Sequence, residues 1–441
     1  MTEEHVILSN DAESAHPDER ANRHGQPATT HELFNVRAPS DALAILLAQL
    51  PASVAVEAIP TRDALDRVLA EDVSSPGDLP TFRRSTMDGF AVRAADTFGA
   101  TEGLPAYLEL VDEVFMGQAP KVALGRGECV RIATGGMLPS GADAIVMVEQ
   151  TQAVGPRTIE ALRPVAPGEN VVQVGEDVRA GDPIISRGTS LRPQDLGGLL
   201  ALGLTVVPVA RRLRVAIVSG GDELVDPEAV PGPGQIRDIN SYTLAALVRR
   251  GGHEPCLEGV FPDDYAPLQA AAAQALAQCD VVILSAGSSV SARDMTAQVV
   301  DSLGRPGVLV HGVSLKPGKP TILAVCDGKA VFGLPGNPVS CMVTYELFVA
   351  PTLAHLSGAV VPPRRTVSAR LARNIASAAG REDYIQVRLE PRQDGGHGFD
   401  AVPVFGKSNL IFTLVHSAGM LKIPLDAGGL NAGADVEVVL F

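Results

Sequence analysis

The sequence predicts a multidomain protein of mixed α/β and β class: a central parallel α/β domain, an all-β insert before it, and a barrel-like β domain at the C-terminus. Three observations carry this. After Arg214 the runs RVAIVSGG, DVVILSAG and AVFGLPGN are each apolar and β-branched and end at once in glycine, with helical stretches such as SYTLAALVRRGG and APLQAAAAQALAQ between them. Residues 90–172 read as short strands (YLELVDEV, ECVRIAT, DAIVMVEQT, RTIEALRPV) separated by Gly and Pro. After Pro362 the strands RTVSARLAR, DYIQVRLEP, MLKIPL and DVEVVLF suit a small barrel or sandwich.

The remaining segments follow in order. Residues 1–36 are polar, lack apolar periodicity and hold His5, His16, His24 and His31; they read as a solvated, disordered tail. A helical pattern begins at Ser40, a possible cap, with Leu43, Ile45, Leu46 and Leu50, and Ala64–Leu69 repeats it. The stretch 188–203 suggests another helix ended by glycine. Residues 37–85 and 173–212 then form one discontinuous linking domain around the insert at 86–172, followed by the α/β domain at 213–359 and the β domain at 360–441.

Composition narrows function. The 441 residues are 46% hydrophobic and 20% charged, as in soluble globular proteins. No apolar run approaches the roughly 20 residues that span a bilayer, and the N-terminus lacks a signal-peptide pattern. Five scattered cysteines without a CxxC pair argue against disulfides or structural zinc and for a reducing, cytoplasmic setting. A net charge of -15 and the absence of tryptophan disfavour nucleic acid and anionic membranes as partners. An acidic protein can still bind a small anion by placing cations locally.

Five segments of the α/β region offer such a place. At SGGDEL, Gly220 and Gly221 let backbone amides approach a phosphate, beside Asp222, which could equally cap its turn, and Glu223. GQIRDINS puts Arg237 beside Asp238, with Asn240 or Ser241 as a helix cap and Asp238 either metal-capable or structural. SAGSSVSARD carries Ser285, Gly287, Ser289 and Asp294, a loop of amide and hydroxyl donors. LKPGKPT places Lys316 and Lys319 on a proline-stiffened turn, either merely solvated or facing an anion. LPGNPVS supplies Pro335 and Asn337 at a third strand end. Three strand-end loops and a dilysine turn within one domain point to a phosphate-binding crevice. Outside it, STMDGF carries Asp88 and GED carries Asp177, each of which could be a plain acidic turn.

TMDGFAV, RIATGGMLPSGADAIVMVEQ, GEDV, SGGDEL, GQIRD, KPGKP and LPGNPVS occur here in one order, and together they resemble the molybdopterin molybdenumtransferase family, that of bacterial MoeA and the E domain of gephyrin. The resemblance covers roughly residues 40–441. It implies a molybdopterin-binding α/β domain, and a homodimer whose active clefts are shared between the insert of one subunit and the α/β domain of the other. It implies an enzyme that binds adenylylated molybdopterin and molybdate, cleaves the pyrophosphate with Mg²⁺, and releases AMP and molybdenum cofactor. A molybdopterin adenylyltransferase and apo-molybdoenzymes would be its partners. Matching positions imply Asp88, Thr134, Asp177, Glu223, Asp238 and Asp294 as catalytic residues, with Glu223, Asp238 and Asp294 on the metal. Gly220, Gly221, Ser285, Gly287, Lys316, Lys319, Pro335 and Asn337 would bind substrate. Molybdate needs cations or N–H and O–H donors, which adds Arg237, Ser289 and Arg381.

Two segments depart from the family pattern. Ser285–Ser291 reads SAGSSVS where the family reads SGGVSVG, and residues 406–409 read GKSN where bacterial relatives carry a GQGS-like stretch. These leave a tungstate-preferring homologue, or a non-catalytic binding or scaffold paralogue, as alternatives. The retained acidic residues and lysines favour the enzyme. The TMDGF segment argues against an unrelated phosphohydrolase.

Overall fold

A computed structural model describes residues 36–51, 54–286, 290–361, 363–392 and 397–441. The N-terminal tail and its four histidines, and Gly287 and Ser289, lie outside the described residues.

The first helix, α1, is Pro39–Leu47. Ser40 does not cap it: the boundary residue is Ala38, without a side-chain cap, and Pro39 starts the helix because its fixed φ suits the first turn. Ala42 and Leu46, with Leu50 just beyond, are buried in the core of the α/β domain.

A linking layer is built from two distant pieces of chain. Val56–Pro60 pairs antiparallel with Val206–Ala210, and Val73–Ser74 pairs with Pro183–Ile185. Ala64–Leu69, expected to be helical, is instead a turn followed by single bridges from Val68 to Ser190 and from Leu69 to Val209. Asp66 there has φ 60°, a left-handed conformation that stops helix propagation. Helix α2, Pro193–Ala201, does end at a glycine. Gly203 has φ 78°, its N–H donates to the Leu200 carbonyl, and the Leu204 N–H reaches the Leu199 carbonyl, a Schellman ending.

The insert is a six-stranded sheet in the order Ala144–Met147, Gly89–Val92, Glu128–Ile132, Ala106–Val114, Thr158–Ala161, Thr151–Ala153. Alternation along Gly89–Val92 sends Phe90 and Val92 into one apolar cluster and Ala91 into another on the opposite face.

The α/β domain contains β1 (Arg214–Gly220), α3 (Asn240–Arg250), β2 (Glu254–Phe261), α4 (Tyr265–Gln278), β3 (Val281–Ala286), α5 (Val290–Ser302), β4 (Pro306–His311), β5 (Leu315–Lys316), β6 (Ile322–Cys326), β7 (Lys329–Pro335) and α6 (Pro338–Leu356). Its sheet runs β2-β1-β3-β7-β6-β4. The first four strands are parallel, as the sequence predicts. β6 and β4 are not: β6 is antiparallel to β7, and β4 to β6. The reason is local. Asp327 and Gly328, both at positive φ, make a tight hairpin that pairs Cys326 with Lys329. One face of the sheet packs on α1, α3 and α6, the other on α4 and α5. Helix α6 is 19 residues long and apolar enough by length and composition to cross a bilayer; here Cys341, Val343, Phe348 and Leu353 lie in the α/β core.

The C-terminal strands β8 (Thr366–Leu371), β9 (Glu382–Pro391), β10 (Phe399–Pro403), β11 (Gly419–Ile423) and β12 (Asp435–Leu440) close into a five-stranded barrel, because β11 pairs with both β12 and β9. The α/β domain contributes to its wall. β5 pairs in parallel with β9, setting Leu315 against Glu382 and Lys316 against Asp383.

Candidate functional site: an acidic crevice beside a cationic cavity

The carboxyl ends of β1, β3 and β7 meet the start of α3. Asn240 ties them together: its side-chain amide donates to Ser285 Oγ at 3.2 Å and to the Gly336 carbonyl at 2.7 Å. The hydroxyls of Ser219 and Ser241 lie 2.7 Å apart beneath. Above this network opens a crevice of about 270 Å³ lined by Gly220, Glu223, Arg237, Asp238, Ser285 and Asn337, among others. The strand-end loops therefore converge as a doubly wound sheet requires.

The carboxylates there differ in freedom. Asp238 is buried and one oxygen accepts the Ser241 N–H at 3.1 Å, so Asp238, rather than Asn240 or Ser241, serves the helix start. Glu223 is half-buried beside Gly221, whose φ is 155°; a Cβ at Gly221 would lie 2.8 Å from Glu223 Oε2. Asp222 does not cap its own turn but accepts the Asp263 N–H at 3.1 Å. Burial, then Glu223 and Asp222, raise the Asp263 carboxyl above its usual range. Arg237 is exposed and its Nε donates to the Pro227 carbonyl at 2.9 Å.

A larger cavity of about 1200 Å³ lies between the α/β domain and the barrel. Lys316, Lys319, Arg381 and Lys407 line it, together with Pro335 and Asn337, and no described lining residue is acidic. Beneath the cations sits Asp383, fully buried, which accepts from Arg381 Nε at 2.8 Å and Nη2 at 3.4 Å and lies 3.9 Å from Lys316 Nζ. One carboxylate cannot neutralise four cations, so the cavity is electropositive. The dilysine turn needs its glycine: Gly318 has φ 117°, and a Cβ there would sit 2.5 Å from Thr344 Cγ2. Asn337 and Asn409 line both spaces, so the acidic crevice and the cationic cavity adjoin. A backbone bond from the Val339 N–H to the Ser408 carbonyl, 3.1 Å, fixes the barrel loop across α6.

Other positions singled out in the sequence lie elsewhere. Asp88 is exposed before Gly89–Val92, and Thr134 donates to its Oδ1 from the backbone N–H at 2.7 Å and from Oγ1 at 2.8 Å. These bonds, the amide first, hold the Asp88 carboxyl below its usual value. Asp177 is exposed on a turn, with its N–H on the Leu79 carbonyl at 3.1 Å. Asp294 is exposed on α5. Asp88, Thr134, Asp177 and Asp294 line neither space. Among the described residues no group of three or more His, Cys, Asp or Glu is placed to hold a metal. Glu223 and Asp238, two carboxylates on one crevice, suit Mg²⁺, which takes one or two carboxylates and completes its shell with phosphates and water. Sequence reasoning missed Asn240 as the tie between loops, and Lys407, Ser408 and Asn409 as lining; the only signal for the last three was the departure GKSN.

The fold and these two spaces define a multidomain α/β protein with a cation-lined cavity against a C-terminal barrel. Comparison with known proteins is specific. The MoeA N-terminal region (domain I and II) matches residues 37–203, the probable molybdopterin binding domain 216–355, and the MoeA C-terminal region (domain IV) 368–441. A putative molybdopterin biosynthesis protein of Methanocaldococcus jannaschii is 36% identical over 86% of this chain and 90% of its own. A molybdopterin molybdenumtransferase of Haemophilus influenzae is 34% identical over 90% of this chain and 96% of its own. The crystal structure of a molybdopterin biosynthesis MoeA protein from Pyrococcus horikosii superposes with a TM-score of 0.80 at 37% identity, covering 92% of this chain and 99% of that one. The chain belongs to the molybdopterin molybdenumtransferase family, a family of transferases.

Proposed function

We propose that this transferase is a molybdenum insertase. It acts in molybdenum cofactor biosynthesis. In this reading it binds adenylylated molybdopterin and molybdate, inserts molybdenum into the dithiolene, cleaves the pyrophosphate with Mg²⁺, and releases AMP and the finished cofactor. The observation that carries the reading is the adjacency of the two spaces through Asn337 and Asn409, one bearing carboxylates and the other cations. A substrate with a pyrophosphate needs both: cations to offset the charge that develops on the leaving phosphate, and carboxylates to hold a bridging metal.

Lys316, Lys319 and Arg381 would receive oxyanion oxygens, with Asp383 keeping the guanidinium fixed. Glu223 and Asp238 would hold Mg²⁺, which when bound supplies charge neutralisation on the phosphates. Ser285 and Asn240 keep the strand ends in register around the ligand. The placement of Asp88, Thr134 and Asp177 away from both spaces of their own chain supports a homodimer in which one subunit's insert faces the other's crevice. A molybdopterin adenylyltransferase would supply the substrate and apo-molybdoenzymes receive the product, in the cytoplasm. The test is to incubate the protein with adenylylated molybdopterin, Mg²⁺ and molybdate and follow AMP. Release that requires all three supports the proposal; binding without AMP release sinks it.

A further inference from the structure

Gln386 lies on β9 two residues beyond Tyr384, so strand alternation puts both on the same side of the barrel. Tyr384 belongs to the α/β core cluster, which identifies that side as the one facing the α/β domain. Gln386 lines the cationic cavity and is only 8% exposed, and its Nε2 has no hydrogen-bond partner. Buried side-chain amides are nearly always paired. Among the described residues, the other buried side-chain nitrogen and oxygen atoms without a partner belong to Gln150, Ser377 and His355, none of which lines this cavity.

An unpaired donor held out of water gains by meeting an acceptor, and turning this amide toward the cavity breaks no hydrogen bond of its Nε2. The cavity wall favours an acceptor of one kind, because every charged side chain among its described lining residues is cationic. We infer that Gln386 is a specificity-determining residue whose amide turns to donate an N–H to an oxygen of a tetrahedral oxyanion held by Lys316, Lys319 and Arg381. The inference rests on the reading above, in which molybdate or a substrate phosphate enters this cavity. A neutral donor adds direction rather than charge. It rewards an oxygen at one position, whereas the lysines attract any anion.

The test is calorimetric titration of the full-length protein with molybdate and, separately, with inorganic phosphate. Wild type is compared with Gln386→Leu, Gln386→Met and Lys316→Ala. For the anion that wild type binds, both Gln386 variants should weaken affinity about tenfold, with the melting temperature of the ligand-free protein unchanged or raised. Their salt dependence should match wild type, while that of Lys316→Ala becomes shallower. Loss of melting temperature in both Gln386 variants would instead assign a structural role and overturn the inference. If both bind like wild type while Lys316→Ala binds weakly, the inference is wrong and the cavity reading stands. If wild type binds neither anion, or Lys316→Ala binds like wild type, both fall. Should Gln386→Leu not fold, Gln386→Met, which keeps chain length, decides.

Discussion

Lys316 and Asp383 face each other across a parallel strand pairing between two domains, with the Lys316 ammonium 3.9 Å from a carboxylate that is fully buried. The turn KPGKP is thereby stitched to the barrel wall, and both its lysines line the cavity.

The first expectation concerns those lysines. Replacing Lys316 and Lys319 together by alanine removes two charge-assisted contacts and should cost roughly 3 kcal/mol or more of ligand binding. Both residues are exposed, so the fold should survive. Calorimetry with the pterin substrate, beside a thermal melt, checks both halves; unchanged affinity refutes the role.

A second expectation concerns protonation of Asp88. Its carboxyl is held below the usual range by the Thr134 amide first and the hydroxyl second. Thr134→Val deletes only the hydroxyl bond, so the Asp88 titration should move upward yet stay below the ordinary carboxylate value of about 3.9. Because the folded pKa is the lower one, whatever stability the pair gives is present above the unfolded pKa and fades as pH falls through the folded one. An NMR titration of the Asp88 carboxyl reads this directly. No movement in the variant would show that the hydroxyl is irrelevant.

The third expectation tests the shared cleft. Asp88→Ala and Glu223→Gln homodimers should each be inactive in AMP release, because Glu223 lines the crevice of the α/β domain. After subunit exchange, half the dimers are mixed, and each of those has one intact site of two, so roughly a quarter of wild-type activity should return. Mixed dimers seen by mass spectrometry without recovered activity would place Asp88 in its own chain's function or in its fold.

A fourth expectation follows from His253. Burial first, then the charges of Arg212 and Arg67, push it from 6.5 down to about 4. The fold thus holds it neutral, while the unfolded chain takes up a proton as pH falls through 6.5. Its contribution is complete above that pH and is lost progressively toward pH 4, by up to about 3 kcal/mol. In urea denaturation, His253→Gln should flatten the pH dependence across this window. An unaltered slope would show that another group carries it.

The strand-end loops were legible because each follows an apolar run that can only be a buried strand, and glycine marks where it stops. Glu223, Asp238, Ser285 and Asn337 consequently fall around one crevice. The cationic cavity was half legible. KPGKP announced its charge, but its opposite wall depends on Leu315 and Lys316 pairing with Glu382 and Asp383, and no local pattern encodes that register. Gln386 reads as an ordinary strand residue, and nothing in the sequence marks that its Nε2 is buried without a partner. Ala64–Leu69 misled because helical spacing over so few residues is outweighed by one left-handed residue, Asp66.

The pairing of Val56–Pro60 with Val206–Ala210 also sets an order of assembly. A ribosome that has released the first strand must deliver the whole insert before the second emerges, a wait on the order of ten seconds. Through that interval the early strand has no mate and an open edge. The insert, complete within the gap and with apolar clusters on both faces of its sheet, can fold first and hold the two ends near each other. The earliest strand to be made is thus sealed only after every strand of the insert has been made, and it stays open to mispairing through that interval.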